Sequence, residues 1–66
     1  MVLKIDIDDT IDRDPAFFSW LSAALKRDNH TVHIVRSLIH TPENYADTKS
    51  ELAEWDIQFD KLILSP

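Results

Sequence analysis

The fold is decided near the amino terminus, by the stretch Val2-Leu3-Lys4-Ile5-Asp6-Ile7-Asp8-Asp9-Thr10-Ile11. Its first part, Val2 to Ile7, is mostly apolar and β-branched, which predicts a buried strand. The acidic cluster that follows is unsuited to the interior of a strand, so the strand should end where the acids begin. Aspartates in that position form either a solvated turn or a site, and charge alone does not distinguish these two interpretations.

Helices and strands alternate along the rest of the chain. Each predicted helix starts with the same signal, a capping Asp14 or Thr41 followed by a proline at the first helical position. Short apolar or β-branched runs between them predict strands. The predicted elements are a strand over Val2 to Ile7, a helix over Pro15 to Arg27, a strand over Thr31 to Val35, a helix over Pro42 to Trp55 and a strand over Lys61 to Leu64.

This β-α-β-α-β order predicts the fold class. Strands that alternate with helices of this length are joined by right-handed crossovers and form a parallel sheet. We therefore expect one three-layer, Rossmann-like α/β domain with a short parallel sheet, which spans residues 1–66. Functional groups gather where the carboxyl ends of the strands meet, at one edge of such a sheet. Those ends are Asp6 to Thr10, Arg36 to Ser37, and Ser65.

The aromatic residues predict which faces of the helices are buried. Phe17 shares the helical phase of Leu21, so it is expected to pack in the core. Trp55 is expected in the core as well, on the second helix. Phe18 and Trp20 are then left for a surface patch.

Composition excludes several classes of function. With no cysteine and no glycine, the chain has neither disulfides nor thiolate metal sites, and it lacks the glycine-rich phosphate loops of nucleotide-binding proteins. Asp28 and Asn29 are expected to adopt the left-handed conformation that glycine usually takes after a helix. No apolar run approaches the ~20 residues of a membrane span and no signal peptide is present, so we expect a soluble cytoplasmic protein without a membrane partner.

Charge limits the partners further. A net charge of −5 repels phosphate backbones, so no nucleic-acid partner is expected. A negative chain can still act on phosphorylated substrates if a divalent cation supplies positive charge locally. Asp6 and Asp8 share one side of an extended chain, so both are expected to face one site. Two such carboxylates repel each other unless a cation or a shared proton intervenes, and hard oxygen ligands suit magnesium.

The acidic stretch also resembles a known motif. A hydrophobic strand followed by Asp-x-Asp-x-Thr and an aliphatic residue is similar to the first motif of the haloacid dehalogenase superfamily, with Asp6, Asp8 and Thr10 in the motif positions. Many members have glycine where this chain has Asp9, a variant that the superfamily also contains. The resemblance covers nearly the whole chain but only the first half of the family's core domain. It implies a haloacid dehalogenase-like core without a cap domain and without the later core strands.

The resemblance implies roles for individual residues in a magnesium-dependent phosphohydrolase. Asp6 would be the nucleophile that forms an aspartyl phosphate, and Asp8 would be the acid and base. The Asp6 carboxylate and the Asp8 carbonyl would bind Mg²⁺. Two residues would help to bind phosphate: Thr10 would support the loop by hydrogen bonding, and Ser37 would donate a hydrogen bond to the phosphoryl group. Arg36 would either hold phosphate as a charged fork or remain a solvated arginine at the strand end.

The chain departs from the family in its second half. The family needs a Lys or Arg of a third motif and a later pair of acids, whereas Lys61, Asp56 and Asp60 are predicted at the opposite end of the sheet. Two hypotheses follow: a phosphohydrolase, whole or in part, with a phosphorylated substrate of unknown identity, or a non-catalytic domain of the same fold that acts through association. A response-regulator receiver ranks behind both, because it needs an aspartate where this chain has Leu64 and Ser65.

The first strand is also expected to need a partner. With no fourth strand beside it, Val2 to Ile7 would expose unpaired backbone groups, and Lys4 is the only charge before Asp6 to discourage pairing. We therefore expect a homodimer in which strand one meets its twin antiparallel.

Overall fold

The computed structural model describes residues 1–66 and has the predicted order of elements. Each predicted strand and helix is present, and the boundaries differ by at most a few residues. The longest difference is in the second strand, which continues to Ser37. The elements are β1 (Val2–Asp6), a short 3-10 turn (Ile11–Arg13), α1 (Pro15–Arg27), β2 (Thr31–Ser37), α2 (Pro42–Glu54) and β3 (Lys61–Ser65).

Both helices begin as the sequence predicts. The Asp14 carboxylate accepts a hydrogen bond from the Phe17 N–H at 3.2 Å, and the Thr41 hydroxyl accepts one from the Asn44 N–H at 3.1 Å. Each bond satisfies a backbone donor that the first turn of a helix leaves free. Neither helix has the length and apolar character that crossing a membrane requires.

Short polar residues replace glycine where the backbone is left-handed. The positive φ angles belong to Asp9 (61°), Asn29 (65°) and Asp56 (56°). Asp and Asn tolerate this conformation better than other residues with a Cβ, because their side chains can hydrogen-bond locally. The prediction that the chain turns through Asp28 and Asn29 after the first helix is confirmed at Asn29.

The strands form one parallel sheet in the order β1-β2-β3, so β2 is central and β1 and β3 are edges. Ile5 of β1 pairs with Ile34 of β2, which in turn pairs with Leu62 of β3. The predicted parallel β-α-β-α-β arrangement is confirmed at this level. The open outer side of β1 also agrees with the sequence analysis.

The sheet has helices on one face only, so the expected three-layer architecture is wrong and the protein has two layers. Both right-handed crossovers step across the sheet in the same direction, which places α1 and α2 on the same face. We call this the helix face and the other the open face. The buried residues of the strands, and Ile7 just after β1, all lie on the helix face: Ile5, Ile7, Val32, Ile34, Leu62 and Leu64. The open face carries Val2, Lys4, Asp6, Thr31, His33, Val35, Ser37, Lys61, Ile63 and Ser65.

The phase of α1 differs from the prediction. Phe18 packs against the core while Phe17 is 47% exposed, so the expectation for these two residues is wrong. The expectation is confirmed for Trp55, which packs against the core, and for Trp20, which is 64% exposed. The reason is Ser22, which is 1% exposed and occupies the central core position of the helix. Because the residue at that central position is polar, the apolar pattern of the sequence did not indicate which face of the helix is buried.

Candidate functional site

The candidate residues follow the carboxyl ends of the strands, so they lie together at one end of the sheet, which we call the carboxyl end. β1 ends at Asp6, β2 at Ser37 and β3 at Ser65. The strand register pairs Asp6 with Val35 and Ser37 with Ser65, so the three ends are neighbours. The crossover connections that follow β1 and β2 leave the sheet at this end, which is where ligands bind in parallel α/β proteins.

The smaller of two pockets at the carboxyl end of the sheet contains Asp6. It has a volume of about 170 Å³ and combines a carboxylate with the two serines, Ser37 and Ser65. The Asp6 carboxylate makes no hydrogen bond or ion pair with any other group, and neither serine hydroxyl has a partner. All three side chains are therefore available to a ligand. The remaining lining residues are Val35, Arg36, Ile63 and Pro66.

The larger pocket, of about 340 Å³, is organised by Arg36. One terminal nitrogen of its guanidinium donates to Glu51 at 3.2 Å and to Thr48 at 3.3 Å, and the other donates to Asp8 at 3.3 Å. The Arg36 side chain is only 20% exposed. It is neither the free phosphate fork nor the solvated arginine of the two sequence-based interpretations. It is a bridge that joins β2, α2 and the loop after β1.

Asp6 and Asp8 face neighbouring pockets. The extended chain ends at Asp6, so the two-residue alternation that would place both carboxylates on one side stops there. Asp6 lies on the open face in the smaller pocket, whereas Asp8 lies in the turn and lines the larger pocket. Arg36 and Ser37 line both pockets and so connect the two carboxylates.

The loop between Asp8 and Ile11 is held by its backbone. The Thr10 and Asp12 N–H groups both donate to the Ile7 carbonyl, at 3.3 Å and 3.1 Å. The Thr10 hydroxyl does not cap the 3-10 turn that follows. Asp9 turns the chain with its left-handed φ of 61°, and its ion pair with Arg13 is largely exposed. The loop therefore owes its shape to Ile7, which is fully buried, and to the conformation of Asp9.

Oxygen donors that suit magnesium are present in small number. The Asp6 carboxylate is free, and the Asp8 carbonyl accepts no hydrogen bond from the rest of the chain. Nowhere do three or more His, Asp or Glu side chains converge as a set of metal ligands. Because Mg²⁺ keeps several water ligands and is commonly held by one or two carboxylates plus substrate phosphate, these two donors fit a weak site of that kind.

Sequence reasoning missed the contribution of α2. Thr48 is 1% exposed and Glu51 is partly buried, and both bind Arg36. One signal was available: Thr48 falls on the helical phase of Leu52, and a hydroxyl on an apolar stripe needs a hydrogen-bond partner. Glu51 has no such signal, because an acid at that position of an exposed helix is ordinary.

The opposite end of the sheet is organised around Asp60. Its carboxylate accepts hydrogen bonds from the Lys26 ammonium and, at 2.7 Å, from the Val32 N–H. Its own N–H donates to the Val32 carbonyl at 2.8 Å. The hydrogen bond from Lys26, followed by that from Val32, holds the pKa of the Asp60 carboxyl below its ordinary value. Lys61 and Asp56 also lie at this end, as the sequence predicts.

No protein-family model, no curated protein and no solved structure matches the chain.

Proposed function

We propose that the chain is a magnesium-dependent phosphohydrolase domain, whole or in part, that acts through an aspartyl-phosphate intermediate on Asp6. The observation that carries the proposal is the unpaired Asp6 carboxylate beside the free hydroxyls of Ser37 and Ser65. A nucleophile needs an oxygen that no other group of the protein occupies, and hydroxyl donors near it can bind phosphoryl oxygens.

In the first step, a carboxylate oxygen of Asp6 attacks phosphorus and the bond from phosphorus to the leaving alcohol oxygen breaks. The leaving oxygen takes a proton from the Asp8 carboxyl group, which lines the adjoining pocket and would act as general acid on a substrate that spans both pockets. One carboxylate oxygen of Asp8 is bound by Arg36, and the other has no partner in the chain and is available to the leaving group. Ser37 lines both pockets and is the donor best placed to bind a phosphoryl oxygen.

In the second step, water attacks phosphorus of the acyl phosphate and gives its proton to Asp8. Inorganic phosphate leaves and the Asp6 carboxylate is regenerated. Arg36 is a positioning residue in this scheme, because it holds Asp8 and contacts α2 rather than substrate. A magnesium ion held by the Asp6 carboxylate and the Asp8 carbonyl would offset the negative charge that carboxylate and phosphate share.

The fold and the loop support assignment to a haloacid dehalogenase-like, Rossmann-like core. The acidic motif lies at the carboxyl end of β1, and the strand order β1-β2-β3 leaves β1 at an edge. Asp9, at the motif position where many members of that superfamily have glycine, adopts the left-handed conformation that glycine takes most easily. The substrate would be a phosphoester that reaches an open pocket at the protein surface.

The experiment is a phosphatase assay with para-nitrophenyl phosphate, with and without Mg²⁺. We expect slow, magnesium-dependent turnover, and an Asp6→Asn variant should have none, because an amide does not form the acyl phosphate. Treatment with hydroxylamine, which cleaves acyl phosphates, should trap the intermediate in the wild type only. Asp12→Asn is the matched control, since it removes the same charge from an exposed position and should keep the activity.

Two results would refute the proposal. Turnover that survives in Asp6→Asn would remove Asp6 as nucleophile. No turnover by the folded wild-type protein at millimolar Mg²⁺ would leave the second candidate, a non-catalytic domain of the same fold that acts through association. The observation that favours the second candidate is the uncovered edge of β1 with the exposed side chains of Met1 and Val2 beside it.

A further inference from the structure

The outer edge of β1 has backbone groups with no partner. The Met1 carbonyl accepts from the Thr31 N–H at 2.9 Å, and the Ile7 N–H donates to the Val35 carbonyl at 3.2 Å. Odd-numbered residues of β1 therefore direct their backbone groups toward β2. Backbone groups alternate along a parallel strand, so those of the even-numbered residues point outward, namely Val2, Lys4 and Asp6.

An apolar surface continues from this edge onto α1. Ser19 and Lys26 of α1 contact the segment before β3, so they mark the flank of the helix nearest to α2. Phe17 lies roughly 160° around the helix from Ser19 and roughly 140° from Ser22, which places it on the opposite flank, above the β1 side of the sheet. Trp20 lies roughly 100° from Ser19 and roughly 160° from Ser22, on the outward side of the helix next to Phe17. Both are exposed, at 47% and 64%, and their rings contact each other.

We propose that two copies of the chain associate through β1, paired antiparallel about a two-fold axis at Ile5. The pairing joins two three-stranded sheets into one continuous sheet of six strands. It satisfies the outward backbone groups of Lys4 and Asp6 in both copies, and it is closed, because each β1 edge is used by one partner only.

Charge selects the register. An antiparallel pairing must place even-numbered residues opposite even-numbered residues, because these carry the outward backbone groups. A register centred on Lys4 places two lysines opposite each other, and one centred on Asp6 places two aspartates opposite each other. Both arrangements are destabilising. A register centred on Leu3 places Val2 opposite Lys4, so it gains no pair of opposite charges. Centring on Ile5 places Lys4 opposite Asp6 on both sides of the axis.

The same register suits the helix face. Ile5 meets its own copy in a non-hydrogen-bonded pair, in which opposite Cα atoms are about 4.5 Å apart and side chains pack most closely. Neighbouring strands are about 4.8 Å apart, so the two copies of α1 would lie roughly 10 to 15 Å apart above the junction. Phe17 from each copy would project into that gap and lose exposure to water, and the Trp20 ring that contacts it would cover the outer rim of the gap.

The dimer would also change the candidate site. Lys4 of the partner subunit would lie next to Asp6 on the open face and would add a positive charge where a phosphate is proposed to react. That consequence rests on the proposed function, whereas the dimer itself does not. Association is measured without substrate, so its failure and the failure of the phosphohydrolase proposal are separate results.

The experiment is sedimentation equilibrium at micromolar concentrations, with circular dichroism to confirm folding. We expect a wild-type dimer. Lys4→Asp and Asp6→Lys each place two pairs of like charges across the axis, and each should weaken dimerisation by about tenfold or more. The combined Lys4→Asp/Asp6→Lys variant restores opposite charges and should recover the wild-type affinity. Lys61→Asp is the matched control, because it makes the same charge change on the same face at the far edge, and it should stay dimeric.

Three outcomes would overturn the proposal. The first is a folded wild-type chain that stays monomeric throughout the micromolar range. The second is a Lys61→Asp variant that dissociates as readily as Lys4→Asp, which would mean that net charge and not the β1 register governs association. The third is a combined variant that folds but associates no better than the single variants.

Discussion

Asp6 and Asp60 are the same residue type at opposite ends of one sheet, and both are exposed, but their side chains differ in hydrogen bonding. Asp60, at the amino end, accepts from Lys26 and from the Val32 backbone and so ties α1, β2 and β3 together. Asp6, at the carboxyl end, makes no hydrogen bond or ion pair through its side chain and faces a pocket. The pKa of Asp60 is lowered by its partners.

The difference separates a residue that stabilises the fold from one that is available for chemistry. A carboxylate whose oxygens are occupied by donors of the same chain is held in place and cannot react with a ligand. A carboxylate left without donors adds nothing to stability through hydrogen bonds, and its oxygens are free to bind a ligand. Arg36 has both roles, because it stabilises the fold through its hydrogen bonds to α2 and also holds Asp8.

The largest expected effect is that substitutions of these two aspartates affect different properties, activity for Asp6 and stability for Asp60. Asp6→Asn should abolish phosphatase activity while leaving the urea midpoint unchanged at high dilution, where dimerisation makes no contribution. Asp60→Asn should lower the urea midpoint, because the amide loses the charge that binds Lys26, yet its active fraction should retain turnover. Equal loss of stability in both variants would remove the distinction.

The next effect concerns Arg36. Arg36→Met should destabilise the fold by about 1 to 3 kcal/mol in urea unfolding, because the buried Thr48 hydroxyl loses its partner. The matched control is Arg13→Met. The Arg13 and Asp9 side chains are 74% and 85% exposed, so removing their ion pair should change stability by less than about 0.5 kcal/mol. Similar losses in the two variants would contradict a structural role for Arg36.

Low pH should reduce the stability of the fold, because it protonates Asp60 at the amino end of the sheet. The folded pKa lies below the unfolded value, near 3.8, so between the two values the unfolded chain binds the proton and the folded chain does not. The contribution of Asp60 is therefore present above pH 3.8 and is lost as pH falls through the folded pKa. In Lys26→Met, which removes the main cause of the shift, thermal unfolding should depend less steeply on pH over that window. An unchanged slope would mean that Lys26 does not set the shift.

The smallest effect concerns the left-handed turn at Asp9. Asp9→Gly should leave stability within about 0.5 kcal/mol of the wild type, since glycine adopts a φ of 61° without strain. Asp9→Ala should be less stable than Asp9→Gly by about 1 kcal/mol in the same unfolding assay. Asn29, at the amino end, should give the same order of variants, because its φ of 65° imposes the same restriction. A more stable alanine variant at either position would contradict the observed backbone.

Local sequence signals determined the elements of this protein. Asp14 and Thr41 cap the helices that they were predicted to cap, and the polar Asn29 ends α1 as expected. These signals act within one turn of backbone, so they are present in the sequence itself. The alternation of strands and helices likewise determined a parallel sheet, whose carboxyl ends bring Asp6 and Ser37 to one edge.

Tertiary structure decided the features that depend on residues distant in sequence. Ser22 reaches a buried position because its hydroxyl accepts a hydrogen bond from the Gln58 N–H at 3.0 Å, and this contact set the phase of α1 against its apolar pattern. Arg36 became a bridge because α2 places Thr48 and Glu51 within its reach. The number of layers was decided in the same way, since the common direction of both crossovers puts both helices on one face. Hydrogen-bond partners and crossover directions are properties of the assembled chain, which no local pattern of residues contains.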